Sequence, residues 1–283
     1  MKKQNCPNCG QPAKTVLEYE EGWIASCGIC RLQWSERSQD IPETEIVLPD
    51  IYSHYLNPAN LNVEAYQPYR DFFDFVSHQF PDREIRILDV GCGNGAFMRT
   101  ALARGHNVRG IEANEALAAY MPAEILERVS FLRAQDFSYK DGYFDLITFW
   151  DSFEHIPDAF ELLKDVEPNL SKDGILYLRV NNRWDIYNIV TDILRLVSPK
   201  HGYAATRNCF NFPYHAWNFS YPAMRELLIK GNWQIVKFTA TDTPVERLTS
   251  NYFFGFVIRI AYLVNKIISG GKIGDYYVTR KSE

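Results

Sequence analysis

Residues 87–98 read ILDVGCGNGAFM, and the arrangement of the rest of the chain follows from this stretch. An apolar, β-branched run ends at Asp89-Val90, three glycines (91, 93 and 95) fall within five residues, and an apolar run then resumes. That pattern predicts a strand, a tight turn and a helix. Gly91 and Gly93 would let the backbone turn sharply and approach a ligand where any side chain would obstruct it. Working outward, strand-like and helix-like segments alternate from residue 85 to residue 181, which predicts a parallel sheet with helices on both faces. Ligands of such sheets sit at the carboxyl ends of the strands, and Asp89, Glu112, Asp136 and Asp151 all fall at those ends. Gly91, Gly93 and Ala96 also satisfy the loose dinucleotide pattern, so the glycines alone do not choose the ligand and are compatible with a purely structural turn.

Asp89 makes the choice. A carboxylate at the strand tip would face a pyrophosphate with like charge, whereas S-adenosylmethionine has no phosphate and carries a sulfonium and an ammonium. At this point the chain resembles the class I S-adenosylmethionine-dependent methyltransferases, and the resemblance continues in register. NVRGIE at 107–112 reads as a second strand ending in an acid, a short third strand at 129–133 precedes Gln135-Asp136-Phe137, FDLITFW at 144–150 is a buried fourth strand followed by DSFEHIPD, and GILYLRVN at 174–181 is the fifth. The resemblance implies a Rossmann-like seven-stranded α/β sheet whose last strand is antiparallel, with the sixth strand at 233–239 and the seventh at 276–280. It places Glu112 on the ribose hydroxyls and Asp136 beside the adenine amino group. It extends the implied cofactor set to Tyr66, Asp89, Gly91, Cys92, Gly93, Asn94, Ala113, Gln135, Phe137, Trp150 and Asp151, with Arg70 a further candidate beside Tyr66.

Upstream, Cys6-Pro-Asn-Cys9 and Cys27-Gly-Ile-Cys30 are two CxxC pairs at the separation expected of a four-cysteine zinc site, flanking a hairpin read at 16–19 and 23–25. Two such pairs argue against a redox dithiol, which needs one. Residues 1–38 hold too little apolar material to fold without a metal, so they are expected to form a zinc ribbon that excludes Cys92 and Cys209. Residues 39–62, rich in Pro, Asp, Glu and Asn, read as a linker interrupted by Tyr52-Ser-His-Tyr55, and 63–283 as the methyltransferase domain. The start MKKQNCPNCG has no apolar signal core and no apolar run reaches spanning length, so a cytoplasmic location is expected. A formal charge of −5 argues against a dedicated nucleic-acid binder.

Two later segments exceed ordinary connections. Residues 183–219 carry Trp184, Tyr187, Tyr203, Phe210, Phe212, Tyr214 and Trp217, the material of a lid or substrate wall, or equally of a packed satellite core. Residues 243–274 interrupt the usual final hairpin with NYFFGFVIRIAYLVNKII at 251–268, where Phe253, Phe256, Val257, Ile260, Val264 and Ile267 share a helical face opposite Arg259, Tyr262 and Lys266. That insertion is expected to lie on a membrane surface, to close a dimer or to cover a lipid-like acceptor.

Methyl transfer to a hydroxyl requires alignment and removal of a proton. His215, set among aromatic residues, is the first candidate base and His155 the second, with Glu154 next. The leading expectation is a methyltransferase acting at oxygen on a small molecule or glycan, in keeping with a resemblance to zinc-ribbon enzymes of sugar, cell-surface glycan and natural-product biosynthesis. A ribosomal RNA methyltransferase reading its substrate through the ribbon is the alternative, although residues 1–38 balance five Lys or Arg (2, 3, 14, 31, 37) against four acids (18, 20, 21, 36). A non-enzymatic scaffold retaining the fold is the third.

Overall fold

The structure is a computed structural model, described here for residues 5–37, 66–138, 142–243, 245, 252–268 and 270–281. The expected linker, with its Tyr52–Tyr55 stretch, lies outside the described residues. Strands β1 (Ala13–Tyr19), β2 (Gly22–Cys27) and β3 (Gln33–Arg37) form an antiparallel meander that carries the two CxxC turns. The first helix, α1 (Gln67–Gln79), opens with Pro68 in its first turn and buries Phe72, Phe73 and Val76.

From β4 (Arg86–Val90) the chain runs through α2 (Ala96–Ala103), β5 (Asn107–Glu112), β6 (Val129–Phe131), β7 (Phe144–Trp150), α3 (Ala159–Val166) and β8 (Leu170–Asn181). After β8 come the helical pair α4 (Ile186–Val197) and α5 (Pro199–Phe210), the two-residue β9 (Trp217–Asn218), and α6 (Tyr221–Lys230), which is capped by Ser220 accepting from Ala223 N and stops at Gly231. The chain then completes β10 (Trp233–Thr241), α7 (Tyr252–Ile267) and β11 (Ile273–Arg280). The main sheet has the order β10-β11-β8-β7-β4-β5-β6, with β11 antiparallel to both neighbours and β8, β7, β4, β5 and β6 parallel, as the sequence predicts. The buried run of β7 is near-continuous because helices cover both faces of the sheet. α1 and α2 supply Phe72, Phe73, Phe97 and Met98 to one face. α3 and α6 supply Leu162, Leu163, Met224 and Leu228 to the other, where the core runs on into Cys6, Cys27, Cys30 and Trp34 of the ribbon.

That continuity is the main departure from an N-terminal appendage. β9 pairs with β3, making a four-stranded sheet that joins the ribbon to the catalytic domain. Asn8 Nδ2 donates to Ala223 O at 2.8 Å, Ser220 Oγ to Cys30 O at 2.6 Å, and Asn218 Nδ2 to Gln33 Oε1 at 3.0 Å. Lys230 reaches Asn8 O, and Arg207 pairs with Glu21. Within 183–219, Phe210 and Phe212 pack with Ile24, and Trp217 lies against Phe160 while its Nε1 donates to Ile156 O. These rings form a packed junction with the ribbon, not an open aromatic wall, because the ribbon needs apolar partners that it cannot supply itself.

Candidate active site

The glycine turn places open space at the end of β4. Gly91 has φ +73°, and a Cβ there would stand 2.5 Å from the Cβ of Ser152, so only glycine allows the turn to press against the exit of β7. Gly93 has φ +57° with nothing within 4 Å of where a Cβ would be, which leaves an exposed cradle of backbone. Glu112, at the tip of β5, holds this loop from below: Oε2 accepts from Gly93 N and Oε1 from Asn114 N, each at 2.9 Å. Each oxygen keeps a lone pair for another donor. Ala113 is exposed directly beyond Glu112, and Asn94 accepts from Ala96 N at the start of α2. Gln135 and Phe137 are half-buried on either side of Asp136, which is exposed and paired with Arg133 at 3.0 Å.

Three of the expected cofactor residues have their side chains engaged with the protein itself. Cys92 turns its thiol into the core against Gly110, leaving only its backbone for a ligand. Asp89 lies beneath the loop, 1% exposed, and accepts from Thr148 Oγ1 at 2.9 Å; burial pushes its carboxyl up to about 7. Trp150 packs edge-on against Tyr69 and Phe72, with its buried Nε1 lacking a partner. The period of a strand explains Asp89 and Trp150, since alternate residues face the α1 side of the sheet; Cys92 lies in the turn beyond β4 and packs on the same side.

Next to Trp150 sits a buried charge network that the sequence reading missed. Arg179 is 1% exposed and donates to Asp275 Oδ1 at 2.7 Å, while its Nε lies 3.5 Å from Asp151. Tyr177 Oη donates to the same Asp275 oxygen at 2.7 Å, and Tyr66 packs edge-on to Tyr69 nearby. Arg179 and Asp275 are register partners across β8 and β11. Asp275→Asn would strip a buried guanidinium of its counter-charge, so it should destabilise the fold by about 3–5 kcal/mol in urea unfolding; a loss under about 1 kcal/mol, the range of a surface pair, would refute that role. A cavity of about 490 Å³ opens beside these residues, lined by Asp71, Phe75, Lys237 and Thr241. A charged residue at the end of an otherwise apolar strand, GILYLRVN, was the available signal.

The two candidate bases do come together. His155 and His215 stand edge to face with ring centroids 4.5 Å apart. His155 Nδ1 lies 3.0 Å from the carbonyl oxygen of Tyr214, which can only accept, so Nδ1 carries the proton and Nε2 keeps its lone pair. Among the described residues Nε2 has no hydrogen-bond partner. His215 is filled on both sides: Nδ1 lies 2.9 Å from Asn181 Nδ2 and Nε2 3.1 Å from Asn211 Nδ2. A neutral ring donates once and accepts once, so one amide offers its N–H and the other its oxygen. Burial lowers both imidazoles, His215 well below the usual range. Glu154 completes the cluster. It is 1% exposed, Oε1 accepts from Asn181 N at 3.3 Å, Oε2 has no partner, and burial beside Asp151 pushes its carboxyl up to about 8.

Cys6, Cys9, Cys27 and Cys30 gather with their sulfurs all within 4.8 Å of one another; Cys6 and Cys30 lie 3.6 Å apart and Cys9 and Cys27 3.5 Å apart. A tetrahedral zinc with bonds of about 2.3 Å separates its thiolates by about 3.8 Å. The donor set therefore fits zinc, and Ile29 N directed at Cys27 Sγ (3.4 Å) would help to hold a thiolate. Cys92 and Cys209 are not part of this cluster.

This architecture is that of a methyltransferase fold with a docked cysteine ribbon. Residues 62–237, more than half of the chain, match the family described as Methyltransferase domain, and the chain belongs to it. It is 28% identical over 141 residues to a ubiquinone biosynthesis O-methyltransferase from Psychrobacter cryohalolentis, which covers 46% of this chain and 55% of that protein. It is 28% identical over 104 residues to one from Pseudomonas aeruginosa, covering 35% and 45%. The chain thus spans about half the length of the curated relatives it matches. Among solved structures, a SAM-dependent methyltransferase from Archaeoglobus fulgidus is similar with a TM-score of 0.54 at 17% identity, over 76% of this chain and 93% of that one. A putative sarcosine dimethylglycine methyltransferase from Galdieria sulphuraria reaches 0.51 at 13% identity, over 76% and 85%. At these identities the likeness is one of fold.

Proposed function

We propose that the chain transfers a methyl group from S-adenosylmethionine to an oxygen of a small-molecule or glycan acceptor, with His155 as the base and a structural zinc in the ribbon. The observation that carries this reading is the adjacency of two features: the open cradle at Gly93 braced by Glu112, and the Glu154, His155, Asn181 and His215 cluster at the ends of β7 and β8. Bound in the cradle, S-adenosylmethionine supplies an electrophilic methyl on a sulfonium. Glu112 accepts from the ribose hydroxyls while it shapes the loop. Asp89, whose carboxyl burial raises to about 7, is drawn to its charged form once a cationic ligand arrives above it. His155 takes the acceptor proton on Nε2. His215, pinned by Asn181 and Asn211, holds the pocket wall, so the order of preference between the two histidines reverses.

Oxygen as the target draws support from the relatives named O-methyltransferases. A small acceptor, rather than ribosomal RNA, draws support from the ribbon being bonded to its own domain through β9, Asn8 and Cys30, which leaves fewer of its groups for a large partner. The intact loop and Glu112 contacts speak for an enzyme over a scaffold.

Calorimetry tests the cofactor: the protein should bind S-adenosylmethionine and S-adenosylhomocysteine and not NAD. Glu112→Ala should cost about 1–3 kcal/mol of that binding because it removes the ribose acceptor and releases Gly93 N and Asn114 N. Glu112→Gln, which keeps one acceptor oxygen, should lose less. Unchanged affinity in the alanine variant would overturn the assignment, and transfer of a labelled methyl to hydroxylated acceptors identifies the substrate.

A further inference from the structure

Helices α4 and α7 are built inside out. The fully buried positions of α4 are Asn188 and Thr191, and on α7 it is Asn265, 0% exposed, that faces inward. Many of their exposed side chains are large and apolar: Ile193, Leu196 and Val197 on α4 are 53%, 82% and 73% exposed, and Phe256, Leu263 and Ile267 on α7 are 61%, 60% and 81% exposed. The two helices supply half of the exposed large apolar side chains among the described residues, so this is a concentration and not the usual scatter. They are also fastened together. Asn265 Oδ1 accepts from Ile186 N at 2.8 Å, Trp184 Nε1 donates to Ile268 O at 3.2 Å, and Gly271 N donates to Trp184 O. A helix that turns amides inward and leucine outward is stable against an apolar medium, where the hydrophobic term favours that orientation.

Charge identifies the medium. On a chain of net charge −5, helices α4, α5 and α7 carry five Lys or Arg and one acid, Asp192; Arg195 pairs with Asp192 and Arg207 with Glu21 of the ribbon, while Lys200 and Lys266 stand exposed toward an outside partner. A second copy meeting this surface about a twofold axis would set the same cations against one another. Anionic lipid headgroups would neutralise them while the apolar stripes enter the acyl boundary. No helix among the described residues is long and apolar enough to cross a membrane, which is consistent with an element that lies on a bilayer and does not span it. We propose that the α4–α7 surface is a peripheral docking site for an anionic lipid bilayer. Helix α4 begins five residues beyond Asn181, the carboxyl end of β8, so docking would bring the candidate active site close to the lipid.

Flotation of the full chain with vesicles tests this. The protein should float with phosphatidylcholine vesicles containing roughly one-third phosphatidylglycerol and not with phosphatidylcholine alone, and the bound fraction should fall as salt rises through the Debye-screening range. The double variant Leu196→Glu/Ile267→Glu should bind at least about ten-fold less, while its S-adenosylmethionine affinity, which reports folding, stays at the wild-type value. Lys200→Glu/Lys266→Glu, which leaves the apolar stripes whole, should bind several-fold less. Absence of flotation, equal binding to neutral and anionic vesicles, or binding that both double variants retain would overturn the proposal. So would a dimer in light scattering that Leu196→Glu/Ile267→Glu converts to monomer, since the surface would then belong to a second copy.

Discussion

Cys27→Ser is expected to release the metal, one zinc per chain by elemental analysis in the parent protein, and to lower the turnover rate by roughly 100-fold, the scale of an ångström-sized displacement of catalytic groups. The reason lies in what the ribbon touches. Ser35 Oγ donates to the carbonyl of His215 at 2.8 Å, Ser35 N to Ala216 O at 2.9 Å, and Arg37 to Tyr214 O at 3.2 Å. Tyr214 O is also the acceptor that fixes the tautomer of His155. If the ribbon unfolds on losing its ion, it removes the support from the backbone of residues 214–216, some distance from the thiols themselves. Cofactor affinity should change little, because Gly93 sits in the turn after β4 and Glu112 at the end of β5, away from this junction. Retained zinc in the variant would refute the ligand assignment. Loss of zinc with full turnover would show that the junction holds without it.

The parallel sheet was legible in the sequence because a run such as FDLITFW has one stable environment, buried on both faces, and because the glycine turn at 91–95 needs backbone angles that other residues resist. The thiol cluster was legible because two CxxC turns at that spacing converge on one ion. The roles of individual side chains were harder to read. Position at a strand end does not fix what a side chain touches: the directions of Asp89 and Trp150 depend on strand parity and on the helix that covers that face, and that of Cys92 on the turn it sits in. Arg179 and Asp275 lie 96 residues apart and meet only through the antiparallel register of β8 and β11, a long-range pairing that local patterns do not encode. The aromatic content of 183–219 fitted a substrate wall and a packed satellite core equally; Phe210 and Phe212 pack on Ile24 of the ribbon and Trp217 on Phe160 and Ile156, and the ribbon's need for such partners is invisible in any window of sequence. The stripe on α7 was readable as a face. Which way it pointed required the fold.

His155→Gln is expected to lower the turnover rate by roughly 100-fold or more while cofactor affinity stays near the parent value, the signature of a lost general base. Glutamine keeps a donor for the Tyr214 carbonyl and so preserves packing, but it has no nitrogen lone pair to take the proton. His215→Gln should have a smaller effect on turnover and a larger one on stability, since its ring links Asn181 to Asn211 with both nitrogens engaged. The pH profile separates these roles. A base must be unprotonated to work, and burial lowers the His155 imidazole, so the acid limb of the turnover profile should lie below 6.5, not at it. Glu154 titrates about 8, so an alkaline limb near that pH, abolished in Glu154→Gln, would mark its neutral carboxyl as the group that orients Asn181 and the pocket. For stability the signs are opposite. The raised Glu154 carboxyl contributes stabilisation that is complete below its unfolded value of 4.5 and is lost as pH rises through about 8. The lowered histidines contribute stabilisation that is present above 6.5 and lost as pH falls. An acid limb unchanged in His155→Gln, or turnover within a few-fold of the parent, would remove His155 from the chemistry and return the role of base to His215 or Glu154.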